Sequence, residues 1–205
     1  NYRRGMPTTH ARFGEATAIL AGDGLLHQAY ETFIKIFDTE ISTRTVKALK
    51  IFGDKTGING MLGGQSADVL HTGEIISDEL LYYIYEKKTG ALIEGAMLTG
   101  SVLAGCNDED LAKIKRVGEL VGLAFQIKDD ILDIYGNEKE IGKPLHSDEK
   151  NNKKTYITIN GIEKSEHDIV VMSEEACDIV SSLGNDVEER DFIIKLIKYL
   201  TDRTY

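Results

Sequence analysis

Phe125-Gln126-Ile127-Lys128-Asp129-Asp130-Ile131-Leu132-Asp133 is the stretch on which the reading of this chain turns. At about 100° per residue, a helix places Gln126, Asp129, Asp130 and Asp133 within an arc of about 100°. Leu123, Ile127 and Ile131 lie outside that arc and are free to pack on neighbouring helices. Three carboxylates on one face repel by roughly 0.2–0.5 kcal/mol per pair even in water, so a cation is expected to compensate them. Magnesium suits the donors. It takes hard oxygen ligands and is commonly held by one or two carboxylates together with substrate phosphates. The face therefore reads as half of a metal–diphosphate clamp, with Asp129, Asp130 and Asp133 as the metal-binding candidates. A solvated acidic face is the plainer alternative. Against it, Phe125, Ile127, Ile131 and Leu132 make the helix apolar almost all round, as in a core helix.

Working outward, Asn107 caps this helix with Asp108, Glu109 and Asp110 in its first turn, and Gly136 marks its end. Upstream, Ser77 caps a long helix, expected to reach about Ala104, that carries Lys88-Thr89-Gly90 in its middle. A Thr-Gly pair loosens the hydrogen-bond ladder, and such interruptions kink helices. A tolerated surface irregularity is the alternative there. On the functional reading, Lys88 offers a point charge to phosphate and Thr89 an oxygen dipole to the reaction space. Basic residues Arg3, Arg4, Lys143 and Lys153 are singly ordinary surface charges. Together they are what the remaining oxygens of an anionic leaving group need.

The rest of the chain is read as further helices: Thr8 to Leu20, Asp23 to Phe37, and Ile41 to about Leu70. Gly53, Gly57, Gly60 and Gly64 trace one face of the last, with a glycine-rich loop as the alternative. Residues 137–160 are polar, contain Pro144, and read as a functional loop with one helical turn at Thr155 to Ile159. Helices from Glu166 to Leu183 and Glu188 to Thr204 complete an all-α chain, taken as a single domain over residues 1–205.

Composition narrows the function. A net charge of −10 disfavours nucleic acid and anionic membranes, which call for basic surfaces. Cys106 and Cys177 stand far apart without metal-ligand spacing, so neither a disulfide framework nor a zinc site is indicated. No run approaches the roughly 18 apolar residues of a membrane span, which leads us to expect a soluble, cytoplasmic protein with no stable membrane insertion.

The motifs taken together resemble the trans-isoprenyl diphosphate synthases, most closely the bacterial short-chain farnesyl and geranylgeranyl diphosphate synthases. RRGMPTTH at Arg3 to His10, GGQSAD at Gly63 to Asp68, EKKTGALI at Glu86 to Ile93, FQIKDDILD, Gly142-Lys143, and NKKTY at Asn152 to Tyr156 carry the resemblance in order and spacing. It implies an isoprenoid-synthase helical bundle around a central cavity, usually a homodimer. The implied reaction is magnesium-dependent condensation of an allylic diphosphate, dimethylallyl or geranyl, with isopentenyl diphosphate, to give farnesyl or a similar short-chain diphosphate. By the same resemblance, Asp129 and Asp133 bind magnesium with Asp130 nearby and Asp68 in support. Arg3, Lys88, Lys143 and Lys153 contact the allylic diphosphate, and Arg4 the isopentenyl diphosphate. Thr89 and Gln126 face the developing cation. The family also has a first aspartate-rich motif just before the paired arginines, and this sequence begins after its place. Little condensation activity is therefore expected of these residues alone. A class I terpene cyclase and a non-catalytic synthase-like regulatory subunit are the rival readings.

Overall fold

In the computed structural model, residues 1–3, 5–136, 153–184 and 187–203 are described. The backbone is helical almost throughout. A two-strand antiparallel ribbon, β1 (Tyr2–Arg3) with β2 (Met6–Pro7), precedes α1 (Thr9–Phe13), α2 (Glu15–Ile34) and a 3₁₀ turn at Lys35–Asp38. Then come α3 (Thr43–Thr56), α4 (Met61–Leu70), α5 (Asp78–Ile84), a π-helical segment (Tyr85–Gly90) and α6 (Ala91–Leu103). The chain finishes with α7 (Asp108–Tyr135), α8 (Tyr156–Asn160), α9 (Ile162–Ser181) and α10 (Val187–Asp202).

Of the caps expected from sequence, Ser77 and Asn107 start their helices as expected. The Ser77 side chain accepts from Leu80 N, and that of Asn107 from Asp110 N, each satisfying an otherwise unpaired first-turn amide. Thr155 and Thr158 cap α8 reciprocally. The acidic first turns of α5 and α7 complement the positive ends of their helix dipoles.

Two expectations need correction. The break placed between Leu20 and Asp23 falls instead at Gly14, whose φ of 85° few side chains adopt, and α2 runs unbroken through Gly22 and Gly24. The single helix expected from Ile41 to Leu70 is two. Gly57 and Gly60 lie at the junction of α3 and α4, where a Cβ on Gly60 would stand 2.2 Å from the Lys55 carbonyl oxygen. The four glycines therefore do not form one continuous face, and of them only Gly64 lies against the backbone of another segment.

Helix α7 is the spine. It packs against α6 and the π segment on one side and against α9 and α10 on the other, while α3 lies on α6. One core cluster joins Leu81, Ile84 and Tyr85 to Ala124, Ile127 and Ile131 of α7, with Tyr156 and Ile169 closing it. A second gathers Val117, Leu120 and Val121 against Ala176, Val180 and Ile197. A third unites Ala48, Leu98, Val102 and Leu111. By contrast α1 and α2 bury no residue, and Ile19, Leu20, Leu25 and Leu26 stand exposed. Among the described residues, no helix is long and apolar enough to cross a membrane.

Candidate active site

Helix α4 meets the π segment with almost no gap. A Cβ on Gly64 would lie 2.2 Å from the backbone nitrogen of Lys88, so only glycine lets the two backbones touch. One turn after Gly64, Asp68 faces the same segment. Lys88 Nζ donates to Asp68 Oδ2 at 2.5 Å, and Lys153 Nζ lies 2.7 Å from Oδ1. Burial alone would push the Asp68 carboxyl up, but hydrogen bonds from Lys153 and Lys88 outweigh it and hold it below its ordinary 3.8. The two lysines come from distant parts of the sequence and share one carboxylate.

The irregularity expected at Lys88-Thr89-Gly90 is the π segment itself, a wider turn that recurs at functional sites. It presents Thr89 to α7, where Thr89 Oγ1 donates to Gln126 Oε1 at 2.9 Å. Gln126 Nε2 in turn donates to Asp130 Oδ1 at 3.4 Å. Close packing makes this possible, since a Cβ on Gly122 would stand 2.6 Å from the Gly90 Cα.

The three aspartates of α7 are not equivalent. Asp129 keeps 40 % of its side chain exposed and pairs with Arg203, whose guanidinium donates to Oδ1 at 3.2 Å. Arg203 also lies over the Phe125 ring at 3.8 Å and donates to the Phe125 carbonyl at 3.3 Å. Burial lowers the Arg203 pKa, and the Asp129 charge opposes that shift. Asp133 is buried at 2 % exposure. Asp130, also buried, is turned to protein donors: the Tyr85 hydroxyl donates to its Oδ2, as does the Tyr156 amide at 3.1 Å. On the core helix expected from sequence, the three carboxylates thus divide into one accessible and two enclosed. The wheel gives angular position but not which side chain a buried tyrosine will engage.

Among the described residues, no three histidine, cysteine, aspartate or glutamate side chains gather closely enough to hold a metal by themselves. The donors nonetheless fit magnesium. They are hard carboxylate oxygens, and magnesium takes one or two of these when phosphate oxygens and water supply the rest.

Residues 153–156 form a strap over this region. Lys153 reaches Asp68 on α4, and Lys154 donates to the Ile76 carbonyl at 3.0 Å and to Asp78 at the start of α5. The Tyr156 amide donates to the Tyr85 hydroxyl oxygen at 3.0 Å as well as to Asp130, and its own hydroxyl to Asp168 of α9 at 2.6 Å. The Tyr82 ring stands edge-on to that of Tyr156, with centroids 6.0 Å apart.

Of the residues singled out from sequence, Asp68, Lys88 and Lys153 converge, as do Thr89, Gln126 and Asp130. Arg3 lies on the exposed ribbon, and no hydrogen bond or ion pair joins it to either group among the described residues. Arg4 and Lys143 fall outside the described residues. Tyr85, Tyr156 and Arg203 were missed as participants. Tyr156 ends a quoted motif, but nothing in local periodicity signals a partner far away in sequence.

Solved structures show which fold this is. A geranyltransferase from Helicobacter pylori, crystallised with magnesium and isoprenyl diphosphate, superposes with a TM-score of 0.79 at 29% identity, over 95% of this chain and 63% of that one. A polyprenyl synthetase family model matches residues 1–193. The farnesyl diphosphate synthase of Bacillus subtilis (strain 168) is 35% identical over 99% of this chain and 68% of its own length. That of Geobacillus stearothermophilus is 41% identical over 75% of this chain and 52% of its own length. The chain belongs to the polyprenyl synthetase family, and it spans between about half and two thirds of the length of these relatives.

Proposed function

We propose that the protein is a short-chain prenyltransferase that condenses an allylic diphosphate, dimethylallyl or geranyl, with isopentenyl diphosphate. The observation that carries this is the convergence of Lys88 and Lys153 on Asp68 beside the Thr89–Gln126 pair. Lysines held at fixed points by a partly buried carboxylate are placed to receive the oxygens of a departing diphosphate, and fixing them in advance spares reorganisation during reaction. Next to them, Thr89 and Gln126 turn oxygen lone pairs toward a centre that becomes cationic as the carbon–oxygen bond breaks. The apolar helices around α7 keep water from that centre, so that the isopentenyl double bond is its nucleophile. Proton loss from the new bond then completes the product.

Asp129 and Asp133 are the residues that would hold magnesium, which when bound neutralises charge on the leaving diphosphate. In this reading Asp130 sits between them as a residue held by the protein, and Arg3, Arg4 and Lys143 supply further contacts to the two diphosphates. The three core clusters all touch or flank α7, which supports one domain over residues 1–205. A homodimer in the cytoplasm is the corresponding assembly and compartment, and farnesyl diphosphate the corresponding product.

The test is direct. The full-length gene product is incubated with magnesium, isopentenyl diphosphate and dimethylallyl or geranyl diphosphate, and the prenyl chain is identified by mass. A C15 diphosphate is expected. Unchanged substrates with every primer would refute the reading, and a cyclised hydrocarbon in place of a diphosphate would assign a terpene cyclase instead.

A further inference from the structure

The Tyr85 hydroxyl is both donor and acceptor at the meeting point of α5, α7 and the strap. It donates to Asp130 Oδ2 and accepts from the Tyr156 amide, which also reaches the same carboxylate oxygen. Tyr85 and Asp130 are both 4 % exposed, so this triangle is shielded from competing water. Both Asp130 carboxylate oxygens accept hydrogen bonds, with Tyr85 and Tyr156 on Oδ2 and Gln126 on Oδ1. That occupancy fixes two features at once. It orients the Gln126 amide, with nitrogen toward Asp130 and oxygen toward Thr89. It also anchors the strap three residues beyond Lys153, whose ammonium must reach Asp68.

We infer that Tyr85 is a positioning residue that acts through Asp130, locking the Lys153–Tyr156 strap onto α7 and thereby setting where Lys153 stands. Asp130 serves this lock rather than holding magnesium itself. The role rests on the prenyltransferase reading above, because Lys153 and Gln126 are the groups it positions. Sequence alone gives Tyr85 no such part, for it reads as the last residue of the largely apolar run that ends at the charged Glu86-Lys87-Lys88.

Tyr85→Phe removes one oxygen and keeps the ring that packs beside Ile84 and Ile127. The experiment is titration calorimetry of the full-length protein with pyrophosphate in magnesium, on the wild type, Tyr85→Phe, Asp130→Asn and the double variant. Hydrogen bonds to charged groups are large enough that Tyr85→Phe is expected to weaken pyrophosphate binding by roughly tenfold. If Tyr85 acts through Asp130, the double variant binds no more weakly than Asp130→Asn alone. In turnover, the KM for the allylic diphosphate rises while that for isopentenyl diphosphate stays put, a split that a smaller folded fraction does not produce. Tight wild-type binding with Tyr85→Phe unchanged, or fully additive effects, would overturn the positioning role alone. A wild type that binds no pyrophosphate would remove the prenyltransferase reading and this role with it. Hydrogen exchange on the wild type checks the lock even if Tyr85→Phe does not fold. The Tyr156 amide is expected to be protected like the interior of α7, and exchange at the rate of an unbonded amide would overturn the inference.

Discussion

Replacing Gly64 with alanine tests whether the contact of α4 with the π segment is what assembles the site. The added Cβ would fall 2.2 Å from Lys88 N, 2.6 Å from the Lys87 carbonyl carbon and 2.7 Å from Lys87 Cβ. Two of these are backbone atoms, so no rotamer change relieves the clash, and one helix must shift by about an ångström to regain ordinary contact. Overpacking of this kind costs about 1–3 kcal/mol. For a chain of this size that lowers the melting temperature by several degrees, at roughly 2–4 °C per kcal/mol. A shift of that size also carries Lys88 away from Asp68, and misplacing a binding group by about 1 Å can lower turnover by roughly 100-fold. Gly100→Ala is the control, because a Cβ there meets nothing within 4 Å. It should stabilise the helix by about 0.5–1 kcal/mol and leave turnover alone. Thermal melts and steady-state rates on the two variants provide the comparison. A Gly64→Ala protein that melts and turns over like the wild type would refute the claim that backbone contact positions Lys88.

Three further predictions follow from the same geometry. Thr89→Val keeps the shape and deletes the donor to Gln126, so kcat should fall by about tenfold with both KM values little changed; equal kcat values would exclude a role for that hydroxyl. Arg203→Gln should lower the half-saturating magnesium concentration by roughly twofold to fivefold, since a partly exposed ion pair is worth at most about 1 kcal/mol, and manganese binding followed by electron paramagnetic resonance would show no change if Arg203 and metal do not compete for Asp129. Asp68 has a folded pKa depressed below 3.8, so its stabilising contribution is complete above that value and is lost as pH falls through the lower folded value. The melting temperatures of the wild type and Asp68→Asn should therefore differ at neutral pH and converge only in acid below the depressed folded value; a gap of constant size down to that acid range would contradict the lysine pairing.

The helical fold was legible because capping and apolar spacing are local signals. Ser77 and Asn107 mark their helix starts where their side chains accept the first-turn amides, and the Thr89-Gly90 interruption foretold the π segment. Breaks governed by glycine were less legible. Gly14, Gly22, Gly24, Gly57 and Gly60 are the same residue, yet only some interrupt a helix: Gly14 takes a positive φ, and Gly57 and Gly60 turn back against the end of α3, neither of which sequence displays. The candidate site divides the same way. Lys88, Asp68 and Gln126 stood out by motif, whereas Tyr85 and Arg203 matter through partners remote in sequence. The acidic face of α7 also looked uniform on a wheel, and only the packed tyrosines distinguish Asp130 from Asp129.

The most direct measurement is a crystal structure of the full-length gene product with magnesium and pyrophosphate. Pyrophosphate oxygens are expected against the Lys88 and Lys153 ammonium groups, with a magnesium ion on Asp129 and Asp130 still engaged with Tyr85. Pyrophosphate bound elsewhere, with both lysines still closed on Asp68 and no metal at Asp129, would contradict that placement.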